Sequence, residues 1–101
     1  MKLKANRIII NVIKNNLSFF DSFESVYLFG SLLDERKKPN DIDLLLIYSE
    51  YSNDINNELT KISTILEKEF NLYVDFTILS VSEEKQTNFL KRIHPKYLKL
   101  K

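Results

Sequence analysis

Apolar residues along this chain fall into two alternating kinds of pattern. Ile9, Val12, Ile13, Leu17 and Phe20 recur at helical spacing and predict an amphipathic first helix. After a mostly polar connection, Asp21 to Glu24, the run Ser25 to Phe29 has the Val/Tyr/Phe content of a β-strand. A short helical turn from Leu32 to about Arg36 leads into Lys37-Lys38-Pro39-Asn40, a basic stretch that ends in a turn signal. Residues 41 to 48 form the second predicted strand. Ser52-Asn53-Asp54 supplies helix-start residues, and Ile55, Leu59, Ile62, Leu66 and Phe70 mark one face of a helix that Asn71 can cap. Leu72 to Leu79 reads as a third strand. Ser80 and Glu83 have capping-box spacing for a last helix through about Arg92, which His94-Pro95 stops, leaving a Lys-rich tail. The order α-β-(short α)-β-α-β-α predicts an α/β (α+β) fold, a small mixed sheet of about three to four strands with helices packed on it.

Composition narrows the class. With 101 residues, 44% of them hydrophobic, the expectation is a single domain, 1–101, around one core. The 15 basic and 14 acidic residues nearly cancel, so a nucleic-acid acceptor is not favoured. Cysteine is absent, which removes disulfides and thiolate metal sites. Lys2, Lys4 and Arg7 before Ile8-Ile9-Ile10 imitate a signal peptide, but Asn11 and Lys14 break the run and no cleavage site follows. No stretch approaches the roughly 20 apolar residues that span a bilayer, so a soluble cytoplasmic protein is expected.

The chemistry concentrates in three places. Gly30, the only glycine, ends the first strand and is followed by Ser31. A glycine there points to a special backbone conformation or a close ligand, and exposed N–H groups with a serine hydroxyl suit a phosphate. No Walker lysine loop is present to meet that phosphate's charge. Asp41 and Asp43 open the second strand, with like-facing Cα atoms about 6.6 Å apart and Ile42 on the other face. Carboxylates at the start of a buried strand call for a compensating partner, most simply a metal, and this spacing can grip two divalent ions about 3.5–4 Å apart. Asp75, inside the otherwise apolar third strand, can complete the set and help deprotonate an attacking hydroxyl.

Each signal alone has an ordinary reading. Asp-x-Asp is commonly a solvated turn, Gly-Ser a generic loop, and Asp75 an edge-strand charge. Their joint order, each on its own strand, carries the argument. Arg36, Lys37 and Lys38, like the Lys-rich tail, read first as solvated charge, and lone His94 as a surface residue. Tyr48 and Tyr51 fit stacking on a base or plain edge packing.

Phe29-Gly30-Ser31, Asn40-Asp41-Ile42-Asp43-Leu44 and Val74-Asp75-Phe76 resemble the polymerase-β-type nucleotidyltransferase superfamily in its minimal bacterial and archaeal form. The resemblance spans roughly residues 25 to 79 by motif and the whole chain by element order. It implies that Gly30 and Ser31 bind the nucleotide's phosphates. Asp41, Asp43 and Asp75 would hold two Mg²⁺, with Asp75 also the base. Two departures stand out. Many members carry a second glycine where this chain has Glu35, and the Ser31–Asp41 loop is about one residue shorter than the common form.

The resulting expectation is an Mg²⁺-dependent enzyme that moves a nucleoside monophosphate, AMP from ATP foremost, onto an acceptor hydroxyl. Minimal members of the family sit beside HEPN-type toxins and adenylylate a tyrosine on them, which implies an antitoxin role and a toxin partner. A homo-oligomer is the other expected way to supply an acceptor site. The rival reading is a non-catalytic binding module acting through a partner protein, which the two departures favour slightly and the intact aspartates oppose. A small-molecule transferase ranks last, because no acidic accessory domain is present to hold a cationic substrate.

Overall fold

The computed structural model describes residues 5–34, 36 and 41–101. Glu35, Lys37, Lys38, Pro39 and Asn40, singled out in the sequence, lie outside the described residues.

Among the described residues, four strands form one mixed sheet in the order β3-β2-β1-β4. They are β1 (Ser25–Phe29), β2 (Asp41–Tyr48), β3 (Tyr73–Ser80) and β4 (Tyr97–Lys99). β1 pairs antiparallel with both β2 and β4, while β2 and β3 run parallel. The parallel pair follows from the crossover helix α2 (Ile55–Phe70), since adjacent parallel strands need a long connection.

Strand alternation divides the core in two. Val26, Leu28, Ile42, Leu44, Leu46 and Val74 are buried on one face of the sheet, against Ile9 and Ile13 of α1 (Ala5–Asn15) and Ile62 and Leu66 of α2. On the other face Tyr27, Leu45 and Ile47 form a smaller cluster with Leu79, Val81, Phe89 and Leu90. β2 is therefore covered on both faces, except at its start. There Asp41 is exposed and Asp43 half-buried, while Ile42 between them is fully buried. A strand with one dry end and one open end is what places charged groups beside a core.

Local chemistry explains the helix limits. Asn71 closes α2 in the left-handed conformation (φ 55°), its N–H donating to the Glu67 carbonyl at 2.8 Å. Ser80 opens α3 (Val81–Thr87) with the expected capping box: its Oγ accepts from the Glu83 N–H at 3.0 Å, and Glu83 Oε1 accepts from the Ser80 N–H at 2.9 Å.

Three expectations need correction. The first helix ends at Asn15, and Leu17–Phe20 continue as a 3₁₀ turn that still buries Phe20. The last helix is broken at Asn88 (φ 53°) into α3 and α4 (Phe89–Ile93), which lets Phe89 and Leu90 turn back onto the sheet. The Lys-rich tail is no frayed end. Tyr97–Lys99 is β4, Leu98 and Leu100 pack against the main core, and Lys101 Nζ donates to the Phe20 carbonyl at 2.7 Å. Hydrophobic burial by alternate residues outweighs the solvation of the lysines between them, whose stems can lie along the surface. Among the described residues, no helix is long and apolar enough to cross a membrane.

Candidate active site

Register brings the sequence-predicted residues to one end of one sheet face. Asp43 is the partner of Asp75 on β3 and of Phe29 on β1, and Phe29 is in turn the partner of Tyr97 on β4. This gives a row Asp75–Asp43–Phe29–Tyr97 across all four strands. Asp41, two residues back on the same face, is paired with Tyr73, which is 64% exposed. Adjacent strands lie about 4.8 Å apart, so Asp43 has one carboxylate as its strand neighbour and another two residues along.

Gly30 follows Phe29 and turns the chain out of β1 into a 3₁₀ turn, Gly30–Leu33. Its φ of +84° lies where L side chains are strained. Space is also lacking: a Cβ at Gly30 would run into Asp43 Oδ2 and come within 3.0 Å of Cγ and 3.3 Å of Cβ. Glycine is thus required twice, for the turn and for the carboxylate beside it. Ser31, half-buried, sits next in the turn, and its carbonyl accepts the Asp34 N–H at 3.1 Å. The turn has only four residues, so what it offers a phosphate is open backbone N–H groups rather than a sizeable helix dipole.

The turn is anchored from below. Asn6, 4% exposed inside the apolar face of α1, donates from Nδ2 to the Leu32 carbonyl at 2.6 Å. A buried amide needs such a partner, and this one fixes the turn against α1. Sequence reading missed it. The signal was there, since Asn6 shares the helical stripe of Ile9 and Ile13.

The electrostatics carry a strain. Burial pushes the Asp43 carboxyl above its ordinary value, and the charges of Asp75 and then Asp41 push it further the same way. Every cause acts against ionisation. Among the described residues, no three His, Cys, Asp or Glu side chains are gathered tightly enough to hold an ion as they stand. The donor set nevertheless suits a hard divalent cation: carboxylate oxygens only, like-charged, and adjacent on one face. Coordination would relieve the repulsion at Asp43 and draw the side chains in.

Other highlighted residues fall elsewhere. Tyr48 and Tyr51 meet edge-on at 6.1 Å at the far end of β2, away from the aspartates, so edge packing accounts for them. His94 is exposed and meets the Tyr97 ring at 6.0 Å, which fits its surface reading.

The profile of the family "Polymerase beta, Nucleotidyltransferase" matches residues 9–96. The chain belongs to this nucleotidyltransferase family. Solved structures agree in fold. A chain in the complex of tri-AMPylated Shewanella oneidensis HEPN toxin with MNT antitoxin superposes with a TM-score of 0.57 at 18% identity, covering 95% of this chain and 71% of that one. A mutant form of the MntA–HpeT toxin–antitoxin gives 0.55 at 15% identity, with 95% and 72% covered. A Sulfolobus solfataricus protein assigned as a nucleotidyltransferase gives 0.50 at 17% identity, with 93% and 80% covered. A sequence search of curated proteins found no match. This member of the nucleotidyltransferase family thus has the α+β sheet expected from its sequence, with Gly30, Asp43 and Asp75 side by side.

Proposed function

We propose that the protein transfers a nucleoside monophosphate, AMP from ATP, to an acceptor hydroxyl in an Mg²⁺-dependent reaction. The observation that carries this is the row Asp75–Asp43 beside Gly30, where like-charged carboxylates meet a wall with no side chain. Asp41, Asp43 and Asp75 would hold two Mg²⁺. The ions, when bound, neutralise charge that builds on the reacting phosphate. The residues supply the rest. Gly30 and Ser31 offer N–H groups and a hydroxyl to the phosphates. Asp75, the more exposed of the register pair, accepts the acceptor's proton. The acceptor oxygen forms its bond to the α-phosphorus, the bond to the β-phosphate oxygen breaks, and pyrophosphate leaves with the electron pair. Rigid placement on two hydrogen-bonded strands contributes through orientation.

The acceptor we favour is a tyrosine on a HEPN-type toxin, in an antitoxin setting. The complex with tri-AMPylated S. oneidensis toxin supports this by likeness of fold. An NTP-consuming chain without cysteine fits the cytoplasm. The test is incubation with each α-labelled NTP, Mg²⁺ or Mn²⁺, and lysate or partner from its source, with Asp41→Ala/Asp43→Ala as control. Label on a protein acceptor that vanishes in the control is the expected result. No transfer from folded protein with any nucleotide would leave the non-catalytic binding module.

A further inference from the structure

The chain has five tyrosines, and they differ in what surrounds them. Tyr27 is buried edge-on against Tyr97, which also meets His94, and Tyr48 meets Tyr51. Tyr73 joins no ring pair among the described residues and is 64% exposed. It opens β3 at the outer edge of the sheet, two residues before Asp75 and therefore on the same face. Its register partner on β2 is Asp41. Strands lie about 4.8 Å apart and rise about 3.3 Å per residue, so Tyr73 is a close neighbour of both aspartates. Side chains stand roughly perpendicular to a sheet, and a phenol is longer than a carboxylate. The Tyr73 hydroxyl therefore reaches the level above the carboxylates, where a substrate would rest. A cavity of about 270 Å³, lined by Glu67, Asn71, Leu72 and Tyr73, leaves the ring room to swing.

We propose that Tyr73 is itself an acceptor: without a partner, the protein transfers AMP to its own Tyr73 hydroxyl, within one chain. The assignment rests on the nucleotidyl-transfer reading above. Its direction follows from the order of the strands. Gly30 and Ser31, offered to the phosphates, lie on the β1 side of Asp43, and β3 lies on the opposite side. Attacking and leaving oxygens are roughly in line in phosphoryl transfer, so a pyrophosphate leaving towards β1 requires attack from β3. Thr77, the other β3 hydroxyl on this face, pairs with Leu45 inside the smaller core cluster, away from Asp41. Tyr73 stands at the open end. Its oxygen forms a bond to the α-phosphorus, the bond to the β-phosphate oxygen breaks, and pyrophosphate leaves with the electron pair. The phenolic proton passes to the Asp75 carboxylate two residues along. Tethering raises the effective concentration of this hydroxyl far above that of a free acceptor. The product carries AMP on the acceptor side of the site, where it shuts out an incoming hydroxyl.

The full chain is incubated with α-labelled ATP and Mg²⁺, alone and with lysate from its source, and the label is mapped by peptide mass spectrometry. Tyr73→Phe, which keeps the ring, is compared with Tyr51→Phe, a change at an equally exposed tyrosine just past the far end of β2. One AMP per chain on Tyr73 is expected, lost in Tyr73→Phe and in Asp41→Ala/Asp43→Ala, and kept in Tyr51→Phe. Tyr73→Phe should melt with wild type, and the rate constant for self-labelling should not change when the protein is diluted. Label that survives in Tyr73→Phe, maps to Thr77 or Tyr51, or forms more slowly on dilution overturns the assignment. A labelled lysate protein beside an unlabelled chain also overturns it, and leaves the transfer reading standing. Label on Tyr73 with no labelled lysate component keeps the assignment and removes the outside tyrosine. With neither labelled, both fall.

Discussion

Replacing Gly30 with alanine tests the contact on which the site is built. At a φ of +84°, an L residue costs ~1–2 kcal/mol relative to glycine. The new Cβ also overlaps Asp43 Oδ2 and sits 3.0 Å from its Cγ, so the carboxylate must swing aside. Rotating a side chain away from its preferred well costs ~0.5–1.5 kcal/mol. Reduced freedom of the unfolded chain returns ~0.4–1 kcal/mol. The net loss is about 2 kcal/mol, a sizeable part of the ~5–15 kcal/mol that stabilises a domain. Chemical denaturation of wild type, Gly30→Ala, Asp43→Ala and the double variant measures it as a cycle. Asp43→Ala removes Oδ2 and Cγ, leaving the backbone strain but not the overlap. The two changes should therefore couple by about 1 kcal/mol, with Gly30→Ala milder in the Asp43→Ala background. Additivity within ~0.3 kcal/mol would refute the contact. Transfer by Gly30→Ala should be lost even in the folded protein, because the carboxylate it displaces is a proposed metal ligand.

The remaining predictions concern charge, capping and the C-terminal strand. The Asp43 carboxyl is raised in the folded state, so its ionisation opposes folding above that raised value, and the opposition fades as pH falls towards the unfolded value near 3.8. Metal-free Asp43→Asn should accordingly be more stable than wild type at pH 7 in urea titrations, with the gap closing towards pH 4. Mg²⁺ should raise the melting temperature of wild type but not of Asp41→Ala/Asp43→Ala, as thermal melts with and without chelator will show. Ser80→Ala breaks the capping box and should cost ~1 kcal/mol in chemical denaturation, without affecting nucleotide binding. Ending the chain after His94 deletes β4 and the core contacts of Leu98 and Leu100, and should lower the melting temperature sharply.

Where the sequence was readable, a local signal agreed with the packing. β2 starts at Asp41 and ends at Tyr48 as its apolar run implied, and α2 stops at Asn71 because Asn tolerates the left-handed turn. The chemistry-bearing positions were legible too, since Asp43 and Asp75 interrupt apolar runs, Gly30 ends one and Asp41 opens one. What could not be read is the pairing of Asp43 with Asp75. That register is set by how α2, which joins the two strands, packs on the sheet face, a tertiary matter with no local mark. β4 was missed for a different reason. Lys96, Lys99 and Lys101 gave the tail a solvated look and masked the period-two alternation of Leu98 and Leu100. Asn88 likewise hid inside a helical stretch, where a single left-handed residue changes the direction of all that follows.

The row Asp75–Asp43–Phe29–Tyr97 has a consequence for the birth of the protein. Its members come from four strands spread between residues 29 and 97, so the chain must be released through Tyr97 before the row can exist. Contacts this far apart in sequence close slowly. Until Tyr97 emerges, β1 is an open edge carrying Val26, Tyr27, Leu28 and Phe29, a run ready to pair with any other strand. Of the four strands described, the fourth thus guards the first.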